Sequence, residues 1–234
     1  MARDVVAGGK DLRGSPRERA LAGFARVLTD MPWALNGEDV ALLRKEGISD
    51  DAIEHAILVT AFFNYFPRVA DGVGIEFDYE SPLPRIDVDT TREAWPRIPK
   101  ADWNPAVDGS ALPSFPQTPQ VTAILTPWRI LHFERTAPLT RETRKLVAHV
   151  VTEELCDSAA LGVWQDVQPA NDTDEQLVSF ARKLTRTPWA MNAGDAEALR
   201  AVGLSDEAIL GAITLIAHQN AISRMHHGLA AMRM

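Results

Sequence analysis

The chain has 234 residues, of which 46% are apolar, and 24 basic side chains stand against 32 acidic ones. This length allows one large or two small domains with a substantial core. The formal charge of −8 argues against broad electrostatic binding to nucleic acid or to an anionic membrane, each of which needs a clustered basic surface. Cys156 is the single cysteine, which excludes an intrachain disulfide and two-cysteine redox chemistry within one chain.

The start of the chain carries no recognisable targeting signal. Residues 1–16 are rich in charge and contain no apolar stretch of signal-peptide length. No apolar run elsewhere approaches the roughly 20 residues that a membrane span requires. We therefore expect a cytoplasmic protein without a membrane span, and a disordered N-terminal segment over 1–16.

The strongest pattern is an internal repeat at an offset of 156 residues. Segment 24–72 aligns with segment 180–228 without a gap, and 23 of the 49 positions are identical. Such self-similarity indicates two copies of one helical unit. The identical pairs include Trp33 and Trp189, Asn36 and Asn192, Gly47 and Gly203, Asn64 and Asn220, Arg68 and Arg224, and Gly72 and Gly228.

Each copy is predicted to form three helices. Apolar residues recur at helical spacing before a Pro-Trp corner, and Asn36 and Asn192 follow as caps of short second helices. Ser49 and Ser205, each followed by two acidic residues, then begin long third helices. These third helices are apolar around more than half of their circumference, so they should be buried.

The segment between the copies has a different composition. Residues 81–120 hold eight of the fifteen prolines, a density that blocks helices and strand ladders. Trp95 and Trp103 lie in the same segment, whereas disordered segments are poor in large aromatic residues. We therefore expect an extended, irregular strap over the surface.

Helices are predicted to resume after the strap, over 121–135 and 141–164. This hairpin precedes the second copy, and the first copy has too few residues before it to supply an equivalent. The predicted fold is all-α. It consists of a partial helical unit over 17–80, the Pro-rich strap, and a complete helical unit over 121–234.

Several short segments carry a family resemblance. They are TRKLVA at 143–148, FARKLTRTP at 180–188, LRAVGLSDEAI at 199–209 and AFFNYFPRVADGVGIEF at 61–77. In their order and spacing they resemble the alkylhydroperoxidase D and carboxymuconolactone decarboxylase superfamily, particularly its peroxidase-related branch. The last segment is similar to that branch's Phe-Asn-x-x-Asn-Arg stretch. The resemblance covers most of the chain outside 81–120.

The redox site of that family does not carry over to this chain. Its redox members use a glutamate, a Cys-x-x-Cys pair and a histidine. Aligned from Thr143 and Arg144, these positions fall on Lys145, Asp157, Ala160 and Trp164. A shift of one residue makes Cys156 the first cysteine and places the others on Arg144, Ala159 and Val163. In both registers the Cys-x-x-Cys motif is degenerate, so a disulfide-cycling peroxidase is not expected.

The hairpin helix offers another set of polar groups. His149, Glu153 and Asp157 are spaced at i, i+4 and i+8, which would place them on one face of a continuous helix. One interpretation makes them catalytic, with His149 as a general acid or base that Glu153 orients and Asp157 as part of the pocket. The other interpretation makes the carboxylates ordinary solvated charges and His149 a hydrogen-bonded surface histidine.

The last helix supplies the candidate substrate-binding residues His218, Asn220 and Arg224. His218 replaces Phe62 of the first copy, and a polar group in an apolar setting is costly unless it is satisfied. A buried arginine can hold a carboxylate through two hydrogen bonds. The alternative is a structural role, because the asparagine and the arginine occur in both copies.

No metal and no cofactor are predicted. His149 and Glu153 resemble half of a helical metal site, but nothing in the sequence brings further ligands to them, and no glycine-rich phosphate loop is present. Cys156 is a possible thiol nucleophile, although the neighbouring Glu154 and Asp157 disfavour its thiolate form.

Three functions remain as hypotheses. The first is a non-redox acid/base enzyme, of decarboxylase, lyase or isomerase type, that acts on a small organic acid or a related metabolite. The second is a catalytically inactive binding or structural relative. The third is a thiol peroxidase that uses Cys156 with an external thiol. The family resemblance also implies a homodimer or a higher homo-oligomer.

Overall fold

The computed structural model describes residues 14–75, 93, 97, 112–164 and 167–234. Every regular element in these ranges is helical, which confirms the all-α class. None of the helices in the described ranges is long and apolar enough to cross a membrane. Most of the expected N-terminal segment and of the Pro-rich strap lies outside the described residues.

The described ranges contain nine α-helices and two short 3₁₀ turns. In the first half they are α1 (Pro16–Asp30), a 3₁₀ turn (Pro32–Ala34), α2 (Gly37–Lys45) and α3 (Asp50–Val73). The second half begins with α4 (Gln120–Phe133), α5 (Arg141–Glu154) and α6 (Ser158–Leu161). It continues with α7 (Asp172–Arg186), a 3₁₀ turn (Pro188–Ala190), α8 (Ala193–Ala201) and α9 (Asp206–Ala231). The last four elements each begin 156 residues after their counterparts in the first half.

Capping residues explain where the two short helices, α2 and α8, begin and end. The side chain of Asn36 accepts a hydrogen bond from the backbone of α2, and Asn192 does the same for α8, as predicted. Past the ends of these helices, Gly47 and Gly203 adopt φ angles of 74° and 91°. Glycine occupies this left-handed region without the steric cost that a side chain brings.

The continuous helix predicted over 141–164 is wrong. Helix α5 ends at Glu154 because Cys156 takes a left-handed backbone conformation, with φ of 53°. Asp157 then caps the separate short helix α6, where its side chain accepts a hydrogen bond from the backbone N–H of Ala160. Asp157 therefore does not share a helix with His149 and Glu153.

The two long helices, α3 and α9, form the most extensive pair among the described helices. They run antiparallel, since Ile57 near the start of α3 lies against Gly228 near the end of α9, while Gly72 lies against Ile213. A Cβ at Gly228 would stand 2.6 Å from Cγ1 of Ile57, and one at Gly72 would stand 2.7 Å from Cγ2 of Ile213. The repeated glycines therefore allow two helices to pack at a distance that any side chain would prevent.

One stripe of α3 remains uncovered. Val59, Phe62 and Phe66 are 57%, 49% and 52% exposed. Their counterparts 156 residues later, Leu215, His218 and Ile222, are each at most 1% exposed. Helix α9 packs against the hairpin of α4 and α5, and the described part of the first half holds no such hairpin.

Candidate functional site

Each long helix carries an asparagine and an arginine four residues apart, which places the two side chains on one helix face. In α3, Arg68 Nη1 donates to the backbone oxygen and to Oδ1 of Asn64, both at 2.9 Å. In α9, Arg224 Nη1 donates to the same two atoms of Asn220, at 3.0 and 2.9 Å. The asparagines therefore hold both guanidinium groups in a fixed orientation.

The third hydrogen bond of each arginine crosses to the other half of the molecule. Arg68 Nη2 donates to the backbone oxygen of Thr185 at 3.2 Å, and Arg224 Nη2 donates to that of Thr29 at 2.9 Å. Thr29 and Thr185 are themselves repeat equivalents, at the ends of α1 and α7. The contacts are thus reciprocal, and they bring one arginine from each half to the junction between the halves.

Both guanidinium groups are buried, and each has one donor without a described partner. Arg68 is 6% exposed and Arg224 is 2% exposed, and within the described ranges the Nε atom of each has no hydrogen-bond partner. A buried N–H without a partner costs free energy, more so in a charged group. Each of these side chains therefore keeps one buried donor without a partner among the described residues.

Burial also destabilises the charged form of these groups. It lowers the pKa of Arg68 to about 10, although Asp71 and Asp30 oppose this change. Burial, and then the positive charge of Arg68, lower the pKa of Arg224 well below its ordinary value. Two neighbouring cations in a poorly solvated place repel each other, so an anion between them would be stabilised.

A cavity of about 260 Å³ lies at this junction, and both arginines line it. The other polar groups on its wall are Thr29, Thr185, Asp30, Asn64 and Arg186. The apolar part of the wall consists of Trp33, Trp189, Phe63, Pro67, Pro188 and Leu155. A concave site with mostly apolar walls and a few convergent polar groups is typical of small-molecule sites.

The sequence-predicted trio of His149, Glu153 and Asp157 is not brought together. His149 Nδ1 donates to the backbone oxygen of Trp164 at 2.9 Å, and Glu153 is an exposed partner of Arg182 at 3.4 Å. Among the described residues, no hydrogen bond joins His149 to Glu153 or Asp157. None of the three lines the cavity.

Asp157 is instead half of a buried pair with a residue that the sequence did not single out as its partner. Its Oδ2 accepts a hydrogen bond from His226 Nδ1 at 2.8 Å, and both side chains are almost fully buried. Burial by itself raises the pKa of Asp157, but the charge and the hydrogen bond of His226 lower it overall. The pair joins α6 to α9.

The predicted binding residues on α9 have separate environments. Asn220 and Arg224 belong to the junction described above, whereas His218 packs among Trp128, His132 and Phe133. Neither ring nitrogen of His218 has a hydrogen-bond partner in the part of the chain that the structure describes. Burial, followed by the charge of His132, lowers the pKa of His218 well below its ordinary value. His218 does not line the cavity.

Cys156 is half-buried where the chain turns after α5. Burial raises the pKa of its thiol, and Arg97 and Arg186 only partly oppose this change. The thiolate, which is the nucleophilic form, is therefore disfavoured. In the described part of the chain, no group of three or more histidine, cysteine or acidic side chains is placed to hold a metal ion.

Comparisons of the chain with protein-family models, with curated proteins and with solved structures found no significant match. The superfamily resemblance of its short segments therefore stays a prediction. The sequence had marked Arg224 as a candidate substrate-binding residue and Arg68 only as its repeat equivalent. Trp33 and Trp189 had been marked only as part of the repeat, and Asp30 carried no distinctive pattern, because their place in the cavity depends on which segments meet at the junction.

Proposed function

We propose that the protein binds a small organic acid in the cavity between its two halves and acts on it by non-redox acid/base chemistry. It would then be an alkylhydroperoxidase D-like and carboxymuconolactone decarboxylase-like protein, built of two helical units and a Pro-rich strap, that lacks the dithiol site. The observation that carries the proposal is the pair of buried arginines, one from each half, on the wall of one cavity.

A carboxylate fits this arrangement because its two oxygens can accept charge-assisted hydrogen bonds from both guanidinium groups. Their positive charges would also stabilise the negative charge that develops on the carboxylate when the adjacent carbon loses a proton. Asp30 is the acidic side chain on the described cavity wall, so we assign the proton transfer to it. This role replaces the one that the sequence had suggested for His149, Glu153 and Asp157.

The binding step is tested by titrating the purified chain with acetate, propionate and benzoate in a calorimeter. Arg68→Gln should weaken binding by roughly 10- to 100-fold, since a hydrogen bond to a charged group contributes about 1.5–3 kcal/mol. Arg68→Lys keeps the charge but loses the two-pronged geometry, so it should also weaken binding. Arg200→Gln, an exposed change outside the cavity, is the matched control. Unchanged affinity in a folded Arg68 variant would refute the proposal.

The chemical step has its own readout. Acetate and propionate carry a proton on the carbon next to the carboxylate, and the exchange of that proton is followed in D₂O by NMR. Benzoate carries none and serves for the binding measurement alone. Asp30→Asn should slow the exchange at least 100-fold, in line with the contribution of a positioned base. Binding without any exchange would instead favour a binding protein with no catalytic activity.

The expected homo-oligomer remains part of the proposal. The exposed stripe of Val59, Phe62 and Phe66 supports it, because the equivalent stripe of α9 is a packing face. A large uncovered apolar stripe is typical of a protein–protein contact. A second copy of the chain is the partner that we propose for it.

A further inference from the structure

The walls of the cavity hold more aromatic surface than a simple carboxylate would require. Trp33 and Trp189 come from the equivalent Pro-Trp turns of the two halves, and Phe63 comes from α3. Trp33 is buried, Trp189 is half-buried, and Phe63 is 70% exposed. The aromatic groups therefore extend from the floor of the cavity to its rim.

Phe63 lies in an unfavourable environment for an apolar ring. It is the most exposed of the large apolar side chains in the described ranges. It lines the cavity together with Pro67, one helical turn later, and it borders the stripe of Val59, Phe62 and Phe66 on the same helix. A ligand that covers this ring would remove apolar surface from water, which is favourable.

The size of the cavity limits the ligand. An apolar cavity of about 150 Å³ is large enough to bind benzene. The present cavity, at about 260 Å³, has room for a single ring with a carboxylate attached to it. Flat rings pack favourably against aromatic side chains in offset or edge-to-face geometry, beyond the effect of buried area alone.

We infer that the ligand of this cavity is an aromatic carboxylate, held at its charged end by Arg68 and Arg224 and along its ring by Trp33, Trp189 and Phe63. This inference rests on the binding step of the proposed function and specifies the class of acid that binds. Benzoate has no proton on the carbon next to its carboxylate, so it is a probe of binding and not of the proton transfer. The guanidinium group of Arg186, 5.3 Å from the ring centre of Trp33, shows that an aromatic face of this wall already packs against a planar group.

The test compares three acids of equal charge: benzoate, cyclohexanecarboxylate and acetate. Calorimetric titration of the full chain should show benzoate binding about fivefold more tightly than cyclohexanecarboxylate, and more tightly still than acetate. The saturated ring matches benzoate in size but is not flat, so the comparison separates aromatic contact from the burial of apolar volume.

Two substitutions in the cavity wall test whether its aromatic side chains cause the preference for benzoate. Phe63→Leu and Trp189→Leu should each reduce the preference for benzoate over cyclohexanecarboxylate toward equality. Phe66→Leu, an exposed phenylalanine on the same helix but outside the cavity, should leave it unchanged. Because Phe63 is largely exposed, its substitution should not affect folding, which thermal melting checks.

The outcomes distinguish this inference from the proposed function. If cyclohexanecarboxylate or acetate binds as tightly as benzoate, and Arg68→Gln weakens all three, the aromatic inference fails while the proposed function stands. If benzoate is preferred but neither cavity substitution changes the preference, the assignment of the ring to this wall is overturned. If no carboxylate binds, both fail.

Discussion

The close crossing of α3 and α9 gives a stability prediction that the structure allows us to work out in detail. Replacing Gly228 with alanine would place the new Cβ 2.6, 2.9 and 2.9 Å from Cγ1, Cδ1 and Cγ2 of Ile57. Favourable carbon–carbon contacts lie at about 3.5–4.0 Å. Ile57 is completely buried, so it has little space into which it can move.

Two effects of opposite sign determine the size of the change. Overpacking of a core costs about 1–3 kcal/mol, and three close contacts with one buried side chain favour the upper end. Alanine is better than glycine in a helix interior by about 1 kcal/mol. We therefore expect Gly228→Ala to lower the free energy of unfolding by about 2 kcal/mol and the Tm by roughly 4–8 °C.

The matched control is Gly23→Ala in α1. Gly23 is exposed, and nothing lies within 4 Å of the position where its Cβ would stand. Only the helix propensity then changes, so this variant should be more stable than the wild type by about 1 kcal/mol. Urea denaturation followed by circular dichroism measures both variants.

A double-mutant cycle tests the cause. Ile57→Ala alone should cost about 2–5 kcal/mol, because it leaves a cavity in the core. In the Gly228→Ala background it should cost at least about 1 kcal/mol less, because it removes the atoms that clash. If Gly228→Ala stabilised the protein as much as Gly23→Ala does, or if the cycle showed no coupling, the explanation of the close crossing would be refuted.

Two further predictions concern pH and self-association. Burial lowers the pKa of His132 and His227 to about 4 and the pKa of His218 well below its ordinary value. Between about pH 6.5 and 4 the unfolded chain therefore binds protons that the folded chain does not. The free energy of unfolding should fall as the pH falls through this range. His218→Phe introduces the residue found at the equivalent position of the first half, and it should reduce the loss of unfolding free energy between pH 7.5 and 5 by about 2 kcal/mol. His55→Gln, on the surface, should leave that loss unchanged. Urea denaturation at both pH values measures the loss, and an equal loss in His218→Phe and in the wild type would contradict the prediction. Phe62→Glu combined with Phe66→Glu should convert the oligomer to a monomer in light scattering, and Leu42→Glu, exposed on α2, should not. A wild-type chain that is monomeric at about 50 μM would rule out the proposed contact.

Where secondary structure depends on nearby residues, the sequence was sufficient. Asn36 and Asn192 cap their helices with their own side chains, and the left-handed glycines follow at the expected positions, because these interactions span only a few residues. The exception was the helix after Arg141, which ends early. Cys156 takes a left-handed conformation there without being glycine, and Asp157 turns toward His226, which is 69 residues away in the chain.

The sequence by itself determined the helical class, the 156-residue offset and the absence of two-cysteine chemistry within one chain, because composition and repetition are properties of the chain alone. Only the tertiary structure decided which residues line the cavity between the two halves. Arg68 meets Thr185, and Arg224 meets Thr29, through contacts between segments more than 100 residues apart. Such contacts leave no local pattern, since each arginine has the same neighbours in the chain whether its guanidinium group faces a cavity or the solvent.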